Sequence, residues 1–217
     1  MKGMLVKDMR LMLQQKRFFI IFFLISIWLH YIVGGIFVIA YLTFICSSFA
    51  LSTISYDEFD NGFSFLMTLP VERRAYVRGK YIFGILVGGG AWIIGVLLSL
   101  GFLFIQGTSV AFGEYFQALM ICIPIFLCFL AIMIPFLLKF GAEKGKLISI
   151  AVMMTVAVIG YFVVSWMERT GVDIDQLIRA LESFWLGIGE LIILVVSAAV
   201  TYISFLISCA IMKKKEF

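Results

Sequence analysis

The chain is 217 residues long, 63% hydrophobic and only 14% charged, with more apolar side chains than the core of a soluble domain of this size can bury. That balance excludes a soluble enzyme or binding module and places the chain in a bilayer. Its net charge of +4 would suit a nucleic-acid partner in a soluble domain, but no basic groove interleaved with aromatics accompanies it, and nucleic acid is excluded.

Residues 2–16 come first. Leu5, Met9 and Met12 recur there at helical spacing, with Lys7, Arg10 and Gln14 off that stripe. The pattern predicts an interfacial helix lying flat ahead of Lys16-Arg17. No small-residue cleavage site follows the first apolar block, so the basic start is expected to remain a structural segment.

A hydrocarbon core about 30 Å thick takes ~20 apolar residues per helix, and that ruler gives six spans. The apolar run from Phe18 to Ser55 divides at Gly34-Gly35 into spans at 18–33 and 36–55. The others fall at 82–105, 115–138, 147–167 and 189–212. Together they make residues 1–217 a single transmembrane domain of all-α class, a polytopic membrane protein with six transmembrane helices.

In the third span Gly84 and Gly88 are spaced G-x-x-x-G, and Ala91, Gly95 and Ser99 continue the interval, a face suited to close packing within the bundle or across a dimer. Packing within the chain is the favoured reading. Pro124 and Pro135 are expected to kink the fourth span. Between spans five and six, Ile174, Leu177, Ile178, Leu181 and Trp185 share one face behind an Asp173 N-cap, which predicts an external amphipathic helix.

Orientation follows from charge. All but two of the 17 Lys and Arg residues, the exceptions being Arg169 and Arg179, fall in the leader, the second and fourth loops, and the tail. This bias places both termini in the cytoplasm. Cys46, Cys122, Cys128 and Cys209 lie within spans and read as small buried hydrophobes. His30 has no companion for a zinc site or a triad, and Glu114 and Glu190 sit near outer span ends. The segment GAEKGK at 141–146 has neither the spacing nor the hydroxyl of a phosphate loop. The chain is therefore expected to be no enzyme and to bind no cofactor.

The second loop is the unusual part. Ser55-Tyr56-Asp57-Glu58 has the S-x-x-E form of a capping box, from which a helix is expected to start. Phe59, Phe63 and Leu66 follow at helical spacing, and Leu69-Pro70 ends the segment. Pro70 and Glu72 suit the first turn of the next helix, with Arg73, Arg74, Arg78 and Lys80 expected at headgroup level. The result is a short amphipathic helix over 56–68. Such a helix can sit in a groove on a soluble partner and pass rigid-body motion to the spans it connects.

Six spans, cytoplasmic termini, a basic leader and the loop "SYDEFDNGFSFLMTLPVERRAYVRGKY" resemble the permease subunits of ABC-2-type exporters, whose ATPase is a separate polypeptide. The most specific element is "FLMTLPVERRAYVRGKY", a Leu-Pro followed by basic residues and a Lys entering span three. Within that family the chain is most similar to the small permeases of phenol-soluble-modulin exporters, which expel amphipathic peptides.

The resemblance implies that residues 56–68 form a cytoplasmic coupling helix docking on the ATPase, with Asp57, Glu58 and Asp60 as polar contacts and Phe59 and Phe63 as anchors. The fourth loop, with Lys139, Glu143 and Lys144, would be a secondary contact. ATP and Mg would be bound by the partner alone, in an assembly of two ATPases with two permeases, homodimeric or heterodimeric. Spans one, two and five would line the path, where Phe44, Tyr161 and Trp166 either meet an amphipathic or hydrophobic substrate or simply pack. The implied setting is a bacterial cytoplasmic membrane. The alternative is a stand-alone membrane immunity or sensor protein without transport activity.

Overall fold

The computed structural model describes residues 2–59, 62–68, 72–106, 112–170 and 189–215, and for 112–118 and most of 142–170 the backbone alone. Among the described residues the chain is all helix: α1 (Lys2–Gln14), α2 (Lys16–Val33), α3 (Gly35–Glu58), α4 (Gly62–Thr68), α5 (Arg73–Gln106), α6 (Phe112–Thr170) and α7 (Glu190–Lys214). Five stretches are long and apolar enough to cross a membrane: Lys16–Val33, Gly35–Glu58, Arg73–Ile105, Leu119–Gly141 and Glu190–Lys214. The expected span at 147–167 has helical backbone within α6, with most of its side chains outside the described residues. The expected external helix after Asp173 lies outside them altogether.

α3 is the central element, packed against α2, α5 and α6, while α7 closes on α6 and α5. Only Ser26 and His30 of α2 are buried, so this helix lies at the rim with its aliphatic and aromatic faces toward lipid. The small-residue stripe of α5 is used inside the chain. A Cβ on Gly84 would lie 3.1 Å from Leu130, and one on Gly95 would lie 3.0 Å from the Ile39 backbone. At Gly88 a Cβ would collide with the edge of the Phe126 ring and lie 2.7 Å from the Ser47 hydroxyl. Gly88→Val is therefore expected to overpack the contact of α5 with α3 and α6 at a cost of ~1–3 kcal/mol or more. A clear fall in the melting temperature of the detergent-solubilised protein would show it. Gly89 is the internal control: nothing lies within 4 Å of a Cβ there, and Gly89→Ala is expected to melt with the parent.

One expectation is corrected, and two further features were not foreseen. α6 keeps helical dihedrals through Pro124 and Pro135, and it breaks at Gly141 (φ 80°, ψ −178°). Pro135 has no N–H, which frees the Ala131 carbonyl four residues back, and the Ser204 hydroxyl of α7 donates to that oxygen. A neighbouring helix thus supplies the missing donor. The same serine bonds the Tyr81 hydroxyl at 2.7 Å, and Ser208 reaches it at 2.9 Å, so a polar seam joins α5, α6 and α7.

The corrected expectation is at Ser55, where no helix begins. α3 continues through Glu58 and ends at Phe59, which is extended (φ −63°, ψ 143°) and whose N–H bonds the Ser55 carbonyl. On α1, Met4 and Asp8 are buried, whereas Val6, Met9 and Leu13 form an exposed apolar face. The burial of Asp8 follows from its partner, described next.

Candidate functional site

At 34 residues α5 is about 51 Å long at 1.5 Å per residue, about 20 Å more than the hydrocarbon core requires. Its first turns therefore project beyond the membrane at the end of the bundle where most Lys and Arg gather. There Arg73, Tyr76, Val77 and Lys80 turn inward while Arg74 and Arg78 stay exposed. Lys80, expected at headgroup level, is instead the centre of a buried cluster.

The Lys80 ammonium lies 2.9 Å from both Asp8 oxygens, 2.7 Å from Asp57 Oδ2 and 3.0 Å from Thr53 Oγ1. Tyr76 donates its hydroxyl to Asp57 Oδ2 at 2.9 Å. Lys7 pairs with Asp57 and stands 3.4 Å from Asp8. The Lys80, Asp8 and Asp57 side chains are 1%, 2% and 4% exposed, against 33% for Lys7. Two lysines and two aspartates cancel in charge, and every carboxylate finds cationic donors, the condition under which burial of ions is tolerated. The cluster pins α1, α3 and α5 to one another.

A second junction lies beside it. Lys215 Nζ is 3.4 Å from Glu58 Oε1, donates to the Leu138 carbonyl at 3.1 Å, and sits 4.9 Å from the centre of the Phe63 ring. Arg73 Nη1 donates to the carbonyls of Met212, Lys213 and Lys215, each at 3.0 Å. Those are carbonyls that the end of α7 leaves without helical partners. At Gly141 the backbone is left-handed, and a Cβ would lie 2.5 Å from a Glu58 carboxylate oxygen. The positive φ favours glycine there, and any larger residue would also have to push the Glu58 carboxylate aside. The break in α6 is thereby held against the end of α3.

α4 is wedged between these junctions. Phe63 is buried, edge-on to Tyr76 at 5.5 Å between ring centres, and Leu66 packs on the same core. The opposite face is open: Phe59 is 72% exposed and Phe65 69%. Tyr56 on the last turn of α3 is half exposed and accepts a hydrogen bond from Gln15. Exposed aromatics clustered at one end of a bundle mark a surface made to be covered.

The residues expected to contact a partner thus separate. Asp57 and Phe63 face inward and hold α4 and its neighbours, so their placement as surface contacts is corrected: their binding partners are Lys7, Lys80, Tyr76 and the core. Glu58 is half-buried at Lys215. Phe59 is exposed. Lys139 and Lys144 are exposed, with the Lys139 ammonium 5.1 Å from the Phe140 ring. Asp60 and the Glu143 side chain lie outside the described residues. So do the side chains of Tyr161 and Trp166, while Phe44 packs on Phe129 at 4.5 Å between α3 and α6. Sequence reasoning missed Asp8, Thr53, Tyr76 and Lys215. One signal was present: Asp8 is the single acidic residue of a leader that carries five cations.

The sequence model of the ABC-2 family transporter proteins matches residues 3–213, from α1 into α7. No curated protein and no solved structure matches the chain.

Proposed function

The chain belongs to the ABC-2 family of transporter proteins, the multi-pass permease subunits of ABC transporters, and from that premise we propose that it is an exporter permease gripped through α4 by a separate ATPase. The observation that carries this reading is the two-sided character of α4 and its approach. The inner side, Phe63 and Leu66, is locked to the ends of α3, α5, α6 and α7, and the outer side offers Tyr56, Phe59 and Phe65. A partner that grips the outer side moves several spans as one body, because the inner side is tied to them by core packing, the Phe63–Tyr76 ring contact and the Lys215 ammonium over Phe63 rather than by a loose loop.

In this reading the basic end faces the cytoplasm of a bacterial cell, Phe59 and Phe65 are the anchors, and Lys139, Lys144 and Glu143 flank them. Asp57 and Glu58 act from within, as positioning residues that keep α4 stiff. ATP and Mg belong to the partner, present in two copies with two permeases. The substrate class is amphipathic or hydrophobic, such as amphipathic peptides, passing near Phe44, Tyr161 and Trp166.

The test is purification of the tagged chain from its native membranes in mild detergent, with mass spectrometry of what accompanies it. A soluble polypeptide bearing a phosphate loop is the expected companion. A chain that emerges alone, or only with copies of itself, would overturn the proposal in favour of a stand-alone immunity or sensor protein.

A further inference from the structure

Where α6 and α7 reach the basic end they part, leaving a groove of about 600 Å³. Its walls are apolar, with Pro135, Phe136, Ile207 and Ile211 among them, and its rim carries Lys139, Lys214 and Lys215, with no acidic lining residue among the described residues. Lys215 turns inward to Glu58. Lys139 and Lys214 are exposed, and among the described residues neither is ion-paired. The groove opens where apolar spans give way to cationic ends, so trough and rim straddle the membrane surface.

A cationic rim over a hydrocarbon trough is complementary to a molecule that is anionic at one end and aliphatic at the other. A free anion would leave the trough uncovered, and an apolar protein face would desolvate two ammonium groups without a counter-charge. We propose that this groove binds an anionic phospholipid, its phosphodiester held between Lys139 and Lys214 and an acyl chain laid along Phe136, Ile207 and Ile211. Lys215 joins the rim of the groove to Glu58 and Phe63, so the lipid sits directly behind the docking helix.

The purified chain in mixed micelles, titrated with phosphatidylglycerol or phosphatidylcholine and read by native mass spectrometry, is expected to retain phosphatidylglycerol selectively. Lys139→Gln and Lys214→Gln are each expected to weaken retention about fivefold, and together about 30-fold. Arg10→Gln, on the exposed face of α1, should leave it unchanged. Ile207→Trp keeps both lysines but fills the trough, and it should displace the lipid as effectively as loss of charge. Equal retention of the two lipids, or retention indifferent to the lysine pair, would overturn the proposal. Competition by soluble glycerol phosphate at the concentrations where the lipid acts would make this a free-anion site instead. Loss of the lipid on binding a partner polypeptide would assign the groove to protein.

Discussion

Lys80→Met is expected to remove most of the folded protein, the largest effect of any single substitution in the basic end. Methionine preserves much of the apolar stem of lysine but leaves Asp8 and Asp57, both buried, with only the more exposed Lys7 between them. Breaking a buried ion pair from one side costs ~3–5 kcal/mol, a large share of the stability of most domains. In detergent the variant should melt far below the parent or elute as aggregate. The double variant Asp8→Asn with Lys80→Met returns the cluster to neutrality around Lys7 and Asp57, so it should regain a good part of the loss. Arg74→Met, removing an exposed cation one and a half turns away, should do nothing. If Lys80→Met melted with the parent, the cluster would be no keystone.

Phe59→Asp combined with Phe65→Asp is expected to have the opposite profile, an intact protein that no longer couples. Both rings are exposed, and substitutions on such positions usually move stability by no more than about 0.5 kcal/mol. Aromatic anchors at the centre of an interface commonly carry ~2 kcal/mol each or more, so ATPase affinity should fall roughly 30-fold per ring lost. The readouts are co-purification of the ATPase and permease-stimulated ATP hydrolysis, beside an unchanged melting temperature. Full coupling in the double variant would remove α4 from the docking surface. Phe63→Ala is a poor probe of the same question. That ring is buried against Tyr76, and its truncation costs ~3–5 kcal/mol in folding before any partner is considered.

What could be read from the sequence was what local rules govern. Runs of ~20 apolar residues have little choice in a bilayer but to form helices, and the Gly84, Gly88 and Gly95 interval demands a close neighbour whichever helix provides it. The rest depends on partners far along the chain. α1 turns Asp8 inward because it meets Lys80, 72 residues later, a pairing that a search for apolar stripes cannot find. The donor to the Ala131 carbonyl that Pro135 frees comes from Ser204, which no property of residues near 135 foretells. The S-x-x-E pattern at Ser55 is a start signal only if the backbone leaves the helix there. Nothing at Ser55 forces that, and α3 runs on to Glu58, just before Asn61-Gly62, a turn-forming pair that the capping pattern overshadowed.

The long reach of these ion pairs also fixes an order of assembly. As the chain enters the membrane from its N-terminus, Asp8 and Asp57 are made well before Lys80, and Lys7, adjacent to one and paired with the other, is the counter-charge available meanwhile. The Glu58 contact with Lys215 closes later still, across 157 residues. Until residues 212–215 emerge, Arg73 has no α7 carbonyls to hold and the Phe63 ring lacks its covering ammonium. The last contacts to close are thus the ones that join the end of α7 to α3, α5 and the Phe63 ring, so this end of the bundle is complete only once residues 212–215 have been made.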